Sequence, residues 1–245
     1  MGCGCVGPSK DKYSIENILS EKIQEPKEIT SNLPITEYVK KVFCLINKVR
    51  INPGEFIPVI ETAEKYIKDL NGRKIFDDSN IKVSLNEGKK MFQDCADFLR
   101  KLPPMEELQF CDDIVLECPK DEQNIKDINY FKERLLEKKE KFGIEAYFKD
   151  SIRIPEISVL LMLVDDSAKN PRKKRETLLN SKYKFIGISS SDLNNNTLGK
   201  EENKNTNNLN DKNGDSNNFN QGNNNIEKII RSELNKAFCA YFTFK

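Results

Sequence analysis

Apolar residues recur at steps of three and four along the first two thirds of the chain, which is the pattern of amphipathic helices. In the stretch ITEYVKKVFCLINKVR the apolar positions repeat from Val39 to Val49, and Thr36 stands before them as an N-cap. A second helix begins at Asn52 and Pro53, because Asn caps and Pro suits the first helical position. The apolar spacing predicts that this helix continues to Asn71 and Gly72.

The same periodicity predicts five further helices later in the chain. Ser84 and Glu87 have the spacing of a capping box before the first of them. Gly143 is suited to end the third, and Pro155 opens the fourth. The predicted helices lie within residues 86–102, 111–118, 129–142, 155–166 and 171–179.

Alternation with period two, which indicates β-strands, marks two stretches near the end of the chain. YKFIGISSS predicts one strand with Gly187 inside it, and AFCAYFTFK predicts the last strand by its alternation from Phe238 to Phe244. IKVSL, residues 81–85, is a shorter extended piece. Several helices followed by at least two strands predict an α+β fold or a layered α/β/α arrangement, not a helical bundle.

Composition divides the chain into an amino-terminal segment, a domain and an insertion. Residues 1–33 mix Lys and Glu with few apolar positions, and we expect an anchor segment and flexible linker with no role in a core. Residues 34–245 form the predicted domain. Within it, residues 192–225 are dominated by Asn with Lys, Asp and Gly. This composition predicts a disordered insertion, since it buries too little apolar surface to offset the entropy of ordering.

The chain of 245 residues contains no histidine. This absence excludes a His-ligated zinc site, a Ser–His–Asp triad and a Cys–His dyad. Lys and Arg (40) nearly balance Asp and Glu (39), so the overall charge does not favour nucleic acid as a partner. No window approaches the roughly 18 apolar residues of a membrane span, and no signal peptide begins the chain. We therefore expect a protein of the cytosol or of the cytosolic face of a membrane.

Cysteines and paired acids are the remaining candidates for chemistry. Five of the seven cysteines are scattered singly through apolar segments, which favours burial as small hydrophobic residues over disulfides. Cys111 and Cys118 are expected to pack in the core for the same reason. The pairs at 112–113 and 165–166 are acidic enough to bind a divalent cation in principle, but they lie near predicted helix ends, where capping is the usual role. We expect no metal and no cofactor.

Four stretches taken in order resemble the CAP superfamily of SCP-like proteins, which includes cysteine-rich secretory, antigen five and pathogenesis-related proteins. They are INKVRINPGEF, LPPMEELQFCDDIVLEC, LLMLVDDSAKNPRKKRETLLNSKYKFIGIS and the closing FCAYFTFK. Together they span about residues 36–245 without the Asn-rich insertion. The resemblance implies an α/β/α sandwich with a central antiparallel sheet.

The resemblance also implies a cleft that in the family usually carries two histidines and two acidic residues, sometimes with zinc. Here Lys174 stands where the second histidine is expected, and Glu145 lies roughly where one family acid is found. The first histidine has no counterpart. A protonated Lys cannot replace a neutral imidazole as a zinc ligand, so the inherited metal site is lost. What remains is a residual cleft with Glu145 and Lys174.

The opening MGCGCVGPSK predicts a lipid anchor. Removal of Met1 exposes Gly2 for N-myristoylation, although Val6 departs from the Ser or Thr of the usual motif. One myristoyl chain holds a membrane only weakly, with an association constant of about 10⁴ M⁻¹. Cys3 and Cys5 are suitably placed to supply the second signal by palmitoylation. The alternatives are a tail without function and a Cys-x-Cys metal pair, which would need further ligands.

A run of basic residues is the strongest local charge feature. One interpretation is a patch that faces anionic headgroups or a partner. The other is a solvated face that pairs with Asp165 and Asp166. The residues of this basic run are Lys169, Arg172, Lys173, Lys174 and Arg175.

Taken together, these features favour a non-enzymatic, membrane-tethered CAP-like module that binds a lipid or a protein on a cytosolic leaflet. The membrane would be the plasma, Golgi or ciliary membrane, and the resemblance offers a precedent in a myristoylated cytosolic member at Golgi membranes. One alternative is a divergent hydrolase that uses cleft carboxylates such as Glu145 and Glu156. A further alternative is a structural component of a ciliary or cytoskeletal assembly.

The anchor hypothesis predicts the behaviour of two variants expressed in a eukaryotic cell. Wild type should pellet with membranes and carry one myristoyl group plus thioester-labile palmitate in an intact-mass measurement. Gly2→Ala and the double variant Cys3→Ser/Cys5→Ser should both become soluble, because a single lipid signal is too weak for stable attachment. A soluble wild type without added mass would contradict the hypothesis.

Overall fold

The computed structural model describes residues 14–22, 28–78, 81–121, 124, 128–167, 169–192 and 238–245. Gly2, Cys3 and Cys5 of the predicted anchor lie outside these described residues. The same holds for the predicted insertion after Asp192.

The described residues form an α+β fold, as the sequence predicts. Its helices are α1 (Ile15–Lys22), α2 (Glu37–Ile51), α3 (Ile57–Ala63), α4 (Lys89–Lys101), α5 (Ile128–Phe142), α6 (Pro155–Val164) and α7 (Lys173–Leu178). Its strands are β1 (Ile67–Leu70), β2 (Arg73–Asp78), β3 (Ile81–Leu85), β4 (Gln109–Phe110), β5 (Ala146–Asp150), β6 (Phe185–Asp192) and β7 (Phe238–Phe244).

The strands form two sheets. A small antiparallel sheet has the order β1-β2-β3, and a larger sheet has the order β4-β6-β7-β5. In the larger sheet β7 pairs antiparallel with both β5 and β6, whereas the two-residue strand β4 pairs parallel with β6. The central sheet is therefore mixed, with an antiparallel core of three strands.

Strand β7 is buried along its whole length because both of its faces are covered. Phe242 and its alternate neighbours pack into the main core with helices α2, α4 and α6. Tyr241 points to the other face, where it packs with Leu135 of α5. Successive side chains of a strand point to opposite faces, so helices cover both sides of this sheet.

Several predicted helix boundaries are confirmed by their local geometry. The Thr36 hydroxyl accepts the N–H of Val39 at 3.3 Å at the start of α2. Gly143 follows α5 with a φ of 72°, a conformation that glycine adopts without strain. Pro155 occupies the start of α6.

The helix predicted to reach Asn71 and Gly72 ends earlier, at Ala63, and that prediction is wrong for its last part. Residues 67–70 form β1, which turns directly into β2. Asn71 and Gly72 have φ values of 56° and 76°. Two successive positive φ values are typical of a type I′ hairpin turn, for which Asn-Gly is the preferred sequence.

The predicted capping box is also wrong, because Ser84 lies in β3 and α4 begins only at Lys89. A residue distant in sequence caps this turn instead. The carboxylate of Asp166 accepts the backbone N–H groups of residues 86–88 at 2.8–3.0 Å. Asp166 therefore ties the small sheet to the end of α6.

No helix forms over 111–118, contrary to prediction. A short 3-10 turn, Asp112–Ile114, is followed by an extended segment that crosses the second face of the larger sheet. Its apolar residues Ile114 and Leu116 pack with Tyr241 of β7. The segment takes this extended form because it packs against the sheet as a covering layer.

The amino-terminal helix α1 belongs to the core, so the expectation that residues 1–33 contribute nothing to a core is wrong for residues 15–22. Ile15 and Leu19 are fully buried, and they lie one turn apart on one face of the helix. The backbone N–H of Ile15 donates to the carboxylate of Asp78 at 3.0 Å. This hydrogen bond fixes the start of α1 beside the end of β2.

Two polar residues of α2 fasten distant loops to the core. The Asn47 amide forms two hydrogen bonds with the backbone of Leu108, at 2.8 and 3.0 Å. The guanidinium of Arg50 is buried and donates only to backbone carbonyls, at 2.7–3.3 Å. Its acceptors are Glu106, Leu178, Asn180 and Tyr183. Arg50 therefore supplies hydrogen-bond donors to backbone carbonyls of two loops.

Arg50→Met is expected to lower the free energy of unfolding by about 3 kcal/mol, because it leaves buried carbonyls without donors. Urea unfolding monitored by circular dichroism measures this change. Arg73→Met removes an exposed arginine from β2 and serves as the matched control. Equal unfolding midpoints for the two variants would contradict this role of Arg50.

Candidate functional site

A cleft of about 400 Å³ lies between the small sheet and the loops that border α6 and α7. Four apolar side chains line it: Val83, Leu85, Ile152 and Leu161. Three serines and five charged residues complete the lining. The charged residues are Lys82, Asp150, Asp165, Asp166 and Lys174. The cleft therefore combines an apolar wall with charged groups.

Asp150 and Lys174 form the ion pair inside this cleft. The Lys174 ammonium lies 3.3 Å from one carboxylate oxygen of Asp150, and 5.6 Å from the centre of the Phe148 ring. The other carboxylate oxygen accepts the Ser158 hydroxyl at 2.7 Å, and Ser158 contacts the Tyr38 hydroxyl at 2.9 Å. Burial and then the charge of Asp150 raise the pKa of Tyr38 well above its usual range. The phenol therefore stays protonated.

The acidic pair at 165–166 performs capping roles, as predicted for it. Asp165 adopts a φ of 45°, and its carboxylate accepts the backbone N–H of Lys174 at 2.7 Å. Burial raises the pKa of Asp165, although this hydrogen bond opposes the effect. Asp166 accepts the three N–H groups before α4, as described above. Both side chains hold the cleft in shape.

The structure does not bring Glu145 and Lys174 together. Glu145 lies directly before the first residue of β5. Asp150, which is the partner of Lys174, is the last residue of that strand. Five residues of extended chain separate them by about 16 Å. Glu145 is exposed and bonded to Lys182 at 2.6 Å. The residual cleft predicted with these two residues is therefore corrected to a cleft with Lys174 and Asp150.

Glu156 also lies apart from the cleft. Its carboxylate is buried at the start of α6, where it accepts the Ser20 hydroxyl at 2.9 Å and lies 3.5 Å from the Lys41 ammonium. This arrangement joins α1 to α6. The two carboxylates of the hydrolase alternative, Glu145 and Glu156, therefore belong to separate environments.

Two arginines of the basic run converge on Asp94 of α4. Arg172 binds its carboxylate through two nitrogens, at 2.8 and 3.0 Å. Arg175 is only 1% exposed, donates to the same carboxylate, and lies 5.1 Å from the centre of the Phe98 ring. The predicted membership of Arg175 in an exposed patch is therefore wrong.

The rest of the basic run is split between two environments. Lys174 is half-buried in the cleft, whereas Lys169 and Lys173 are exposed. The side-chain partners in this run are Asp94 and Asp150, not the predicted pair at 165–166. The five basic residues therefore do not form one continuous exposed patch.

A second groove, of about 490 Å³, lies between α3 and α4. Its polar groups bind each other: Arg100 pairs with Glu61 and Asp97, and Gln93 donates to Glu64 at 2.8 Å. These contacts are exposed to solvent, where ion pairs contribute little free energy. The groove is therefore a weaker candidate than the cleft of Lys174.

Sequence reasoning missed Asp150 and Asp94. Asp150 had a signal, because Ala146 and Phe148 alternate with it along β5 and place a carboxylate on the buried face of a strand. Asp94 had no comparable signal, since its two arginine partners lie 78 and 81 residues away.

Two findings concern the described part of the chain alone. It contains no group of three or more Cys, Asp or Glu side chains arranged to hold a metal ion. Within the same residues, no helix has the length and apolar character needed to cross a bilayer.

Asp94→Asn is expected to destabilise the fold at neutral pH, because it leaves buried Arg175 without its carboxylate partner. Burial alone raises the pKa of Asp94, but Arg175 and Arg172 outweigh burial and hold it below the ordinary value of 3.8. A carboxyl with a lowered folded-state pKa adds stability at higher pH, and this contribution is lost as the pH falls below 3.8. The urea midpoint of wild type should therefore approach that of Asp94→Asn under acid conditions.

Asp97→Asn is the matched control, since it removes an exposed carboxylate from the same helix. Its urea midpoint should stay close to that of wild type at each pH. A constant difference between wild type and Asp94→Asn from neutral to acid conditions would contradict the assigned role of Asp94.

Comparison of the chain with protein-family models, with curated proteins and with solved structures found no match. The resemblance to the CAP superfamily therefore stays a hypothesis drawn from the four stretches of sequence.

Proposed function

We propose that this chain is a non-enzymatic module that binds an amphipathic lipid in the cleft of Lys174, while acyl groups at its amino end hold it on the cytosolic face of a membrane. The observation that supports this most strongly is the composition of the cleft. An apolar wall of four residues faces four charged groups that are already engaged with the protein and one exposed lysine, Lys82.

The apolar wall suits part of an acyl chain. Val83, Leu85, Ile152 and Leu161 are partly exposed in the cleft and pack against the main core behind them. Covering such surface is favourable by about 25 cal/mol per Å². A volume of about 400 Å³ lies in the range of small-molecule sites. The cleft would therefore hold a segment of one chain and not a whole phospholipid.

The charged groups suit an anionic head. Lys82 is exposed on β3, and the Lys174 side chain keeps 29% of its surface accessible. The three carboxylates of the cleft are occupied as acceptors of N–H or O–H groups of the protein. These donors leave each carboxylate charged, so a phosphate would approach on the side of Lys82 and Lys174.

Binding is favoured over hydrolysis by the positions of the candidate acids. Glu145 and Glu156, which the hydrolase alternative requires, lie in separate environments and each binds a lysine. Asp150 accepts a hydroxyl and an ammonium, so both of its oxygens have partners. The chain has no histidine, and each of these three candidate carboxylates is already occupied by protein partners.

The place where the amino-terminal segment joins the domain is compatible with the proposed lipid anchor. Helix α1 begins at Ile15, whose N–H binds Asp78 at the end of β2. Asp78 is paired with Ile81, the first residue of β3, and β3 forms one wall of the cleft. An acylated segment joined at this place would keep the cleft close to the bilayer.

The CAP-like form of the α/β/α sandwich is part of the same proposal. The four stretches of sequence that resemble the family support it. Helical cover on both faces of an antiparallel three-strand core is compatible with it.

Leu161→Glu should weaken lipid binding strongly, because it places a carboxylate on the apolar wall. The experiment uses the purified, unacylated full chain and a fluorescent lysophosphatidic acid, and measures the dissociation constant by fluorescence anisotropy. We expect a loss of at least about tenfold in affinity, which corresponds to about 1.4 kcal/mol. Leu136→Glu alters an exposed leucine of α5 on the opposite face and should bind as wild type does.

Lys82→Ala distinguishes the contribution of the lipid head group to binding from that of the acyl chain. It should weaken binding of lysophosphatidic acid and leave binding of a monoacylglycerol with the same chain unchanged. Absence of binding by wild type, or equal loss in the Leu161 and Leu136 variants, would overturn the proposal. Capture of a protein that Leu161→Glu releases, without lipid binding, would indicate a protein partner instead.

A further inference from the structure

Two cysteines lie side by side on the second face of the larger sheet. The Cys118 sulfur lies 3.5 Å from the carbonyl oxygen of Cys239 and 3.2 Å from the Ser189 hydroxyl. Both thiols are free. Cys239 is in β7, whereas Cys118 is in the extended segment that covers the sheet, so the pair joins two separate parts of the chain.

The extended segment is held to the sheet at alternate residues before it reaches Cys118. The Thr243 hydroxyl donates to the carbonyl of Ile114 at 2.6 Å. Two residues later, the Ser189 hydroxyl donates to the carbonyl of Leu116. Two residues after that, Cys118 meets Cys239. These regular contacts fix the position of the Cys118 sulfur.

Gly187 allows the segment to lie this close. A Cβ atom at position 187 would stand 2.8 Å from the carbonyl carbon of Ile114 and 2.8 Å from the nitrogen of Val115. No side chain fits between the two backbones at such distances. The close approach of the cysteines thus follows from backbone packing, not from a chance side-chain rotamer.

The two thiols differ in acidity. The hydrogen bond from Cys118 lowers the pKa of Cys239, and the charge of Lys149 acts in the same direction against burial. Burial and the neighbouring Cys239 raise the pKa of Cys118. The thiolate is the reactive form of cysteine, and the more acidic thiol of the pair, Cys239, is also the more deeply buried one. Cys118 is partly exposed, so the pair is reached from solvent on its side.

We propose that Cys118 and Cys239 form a redox pair that a hydroperoxide converts into a disulfide. In the first step one thiol of the pair ionises and its sulfur attacks one peroxide oxygen, an S–O bond forms and the O–O bond breaks, and the departing hydroxide takes a proton to become water. In the second step the partner thiol attacks the sulfenic sulfur as its proton passes to the departing hydroxide, so that the S–S bond forms and water leaves. The two thiols lose two electrons and two protons, and hydrogen peroxide is reduced to two molecules of water.

The disulfide would join the covering segment covalently to the last strand. Bridged cysteines have Cβ atoms about 3.8 Å apart, and the Cys118 sulfur already lies 3.5 Å from the backbone of Cys239. The bond would close a loop from residue 118 to residue 239, and closing a long loop restricts the unfolded chain strongly. Oxidation should therefore raise the temperature of unfolding. This site is separate from the lipid cleft and does not depend on the function proposed above.

The experiment treats the reduced, full-length protein with hydrogen peroxide, blocks remaining thiols with N-ethylmaleimide, and maps the peptides by mass spectrometry. We expect one intramolecular Cys118–Cys239 cross-link that dithiothreitol reverses. Cys118→Ser and Cys239→Ser should each lose the cross-link completely. Cys111→Ser is the matched control, since Cys111 is also partly exposed, and it should keep the cross-link.

Cys95 supplies an internal standard within the same protein. It is buried, and burial raises its pKa to about 11, so it should remain reduced. Preferential oxidation of any other cysteine, random cross-links, or recovery of Cys118 and Cys239 as thiols after peroxide would overturn the proposal. Unfolding temperatures of the reduced variants test whether each is folded before treatment. If Cys118→Ser is unfolded, the cross-link map of wild type alone decides.

Discussion

The last strand of this protein is buried on both of its faces, and the arrangement of the other elements follows from that constraint. Phe242 and its alternate neighbours require one layer of helices, whereas Tyr241 requires a second cover on the opposite side. Helix α5 and the extended segment after Ile114 together form that second cover. The segment lies flat only because Gly187 has no side chain. A single strand that is apolar on both faces thus determines two core clusters and brings two cysteines into contact.

Long periodic segments were predictable, because their burial is set by their own repeat. Helix α2 and strands β6 and β7 form where the pattern places them. The hairpin of β1 and β2 was missed although Asn71 and Gly72 carry its signal, since the apolar spacing before them also suited a helix. The prediction of a helix at 111–118 was wrong for another reason. The apolar residues of this segment suit both a helical and a strand period, and packing on the sheet decides between the two. The sequence allowed a short surface helix at α1, but its role in the core was missed because the apolar pattern that attaches it is short and weak.

The candidate site was predictable only in part. Lys174 was identified through a resemblance, and the structure assigns it a different partner, Asp150, from the one expected. The density of basic residues along the sequence predicted an exposed position for Arg175. A guanidinium can nevertheless be buried where a carboxylate from another element pairs with it. Asp94 is that acid, and no local feature of the sequence predicts its pairing with Arg175. Ion pairs between distant elements depend on the tertiary structure, which periodicity does not describe.

The hairpin of β6 and β7 has a consequence for how the chain tolerates change in length. Asp192 and Phe238 are paired across this hairpin, so the ends of the connection at 193–237 are fixed beside each other by the sheet. The entropy of closing a loop grows only with the logarithm of its length, by about 0.6 kcal/mol for each doubling. Once the two strands are paired, a change in the length of the connection alters this closure entropy little. This junction is therefore a place where the gene can gain or lose repeats of codons while the protein keeps its core.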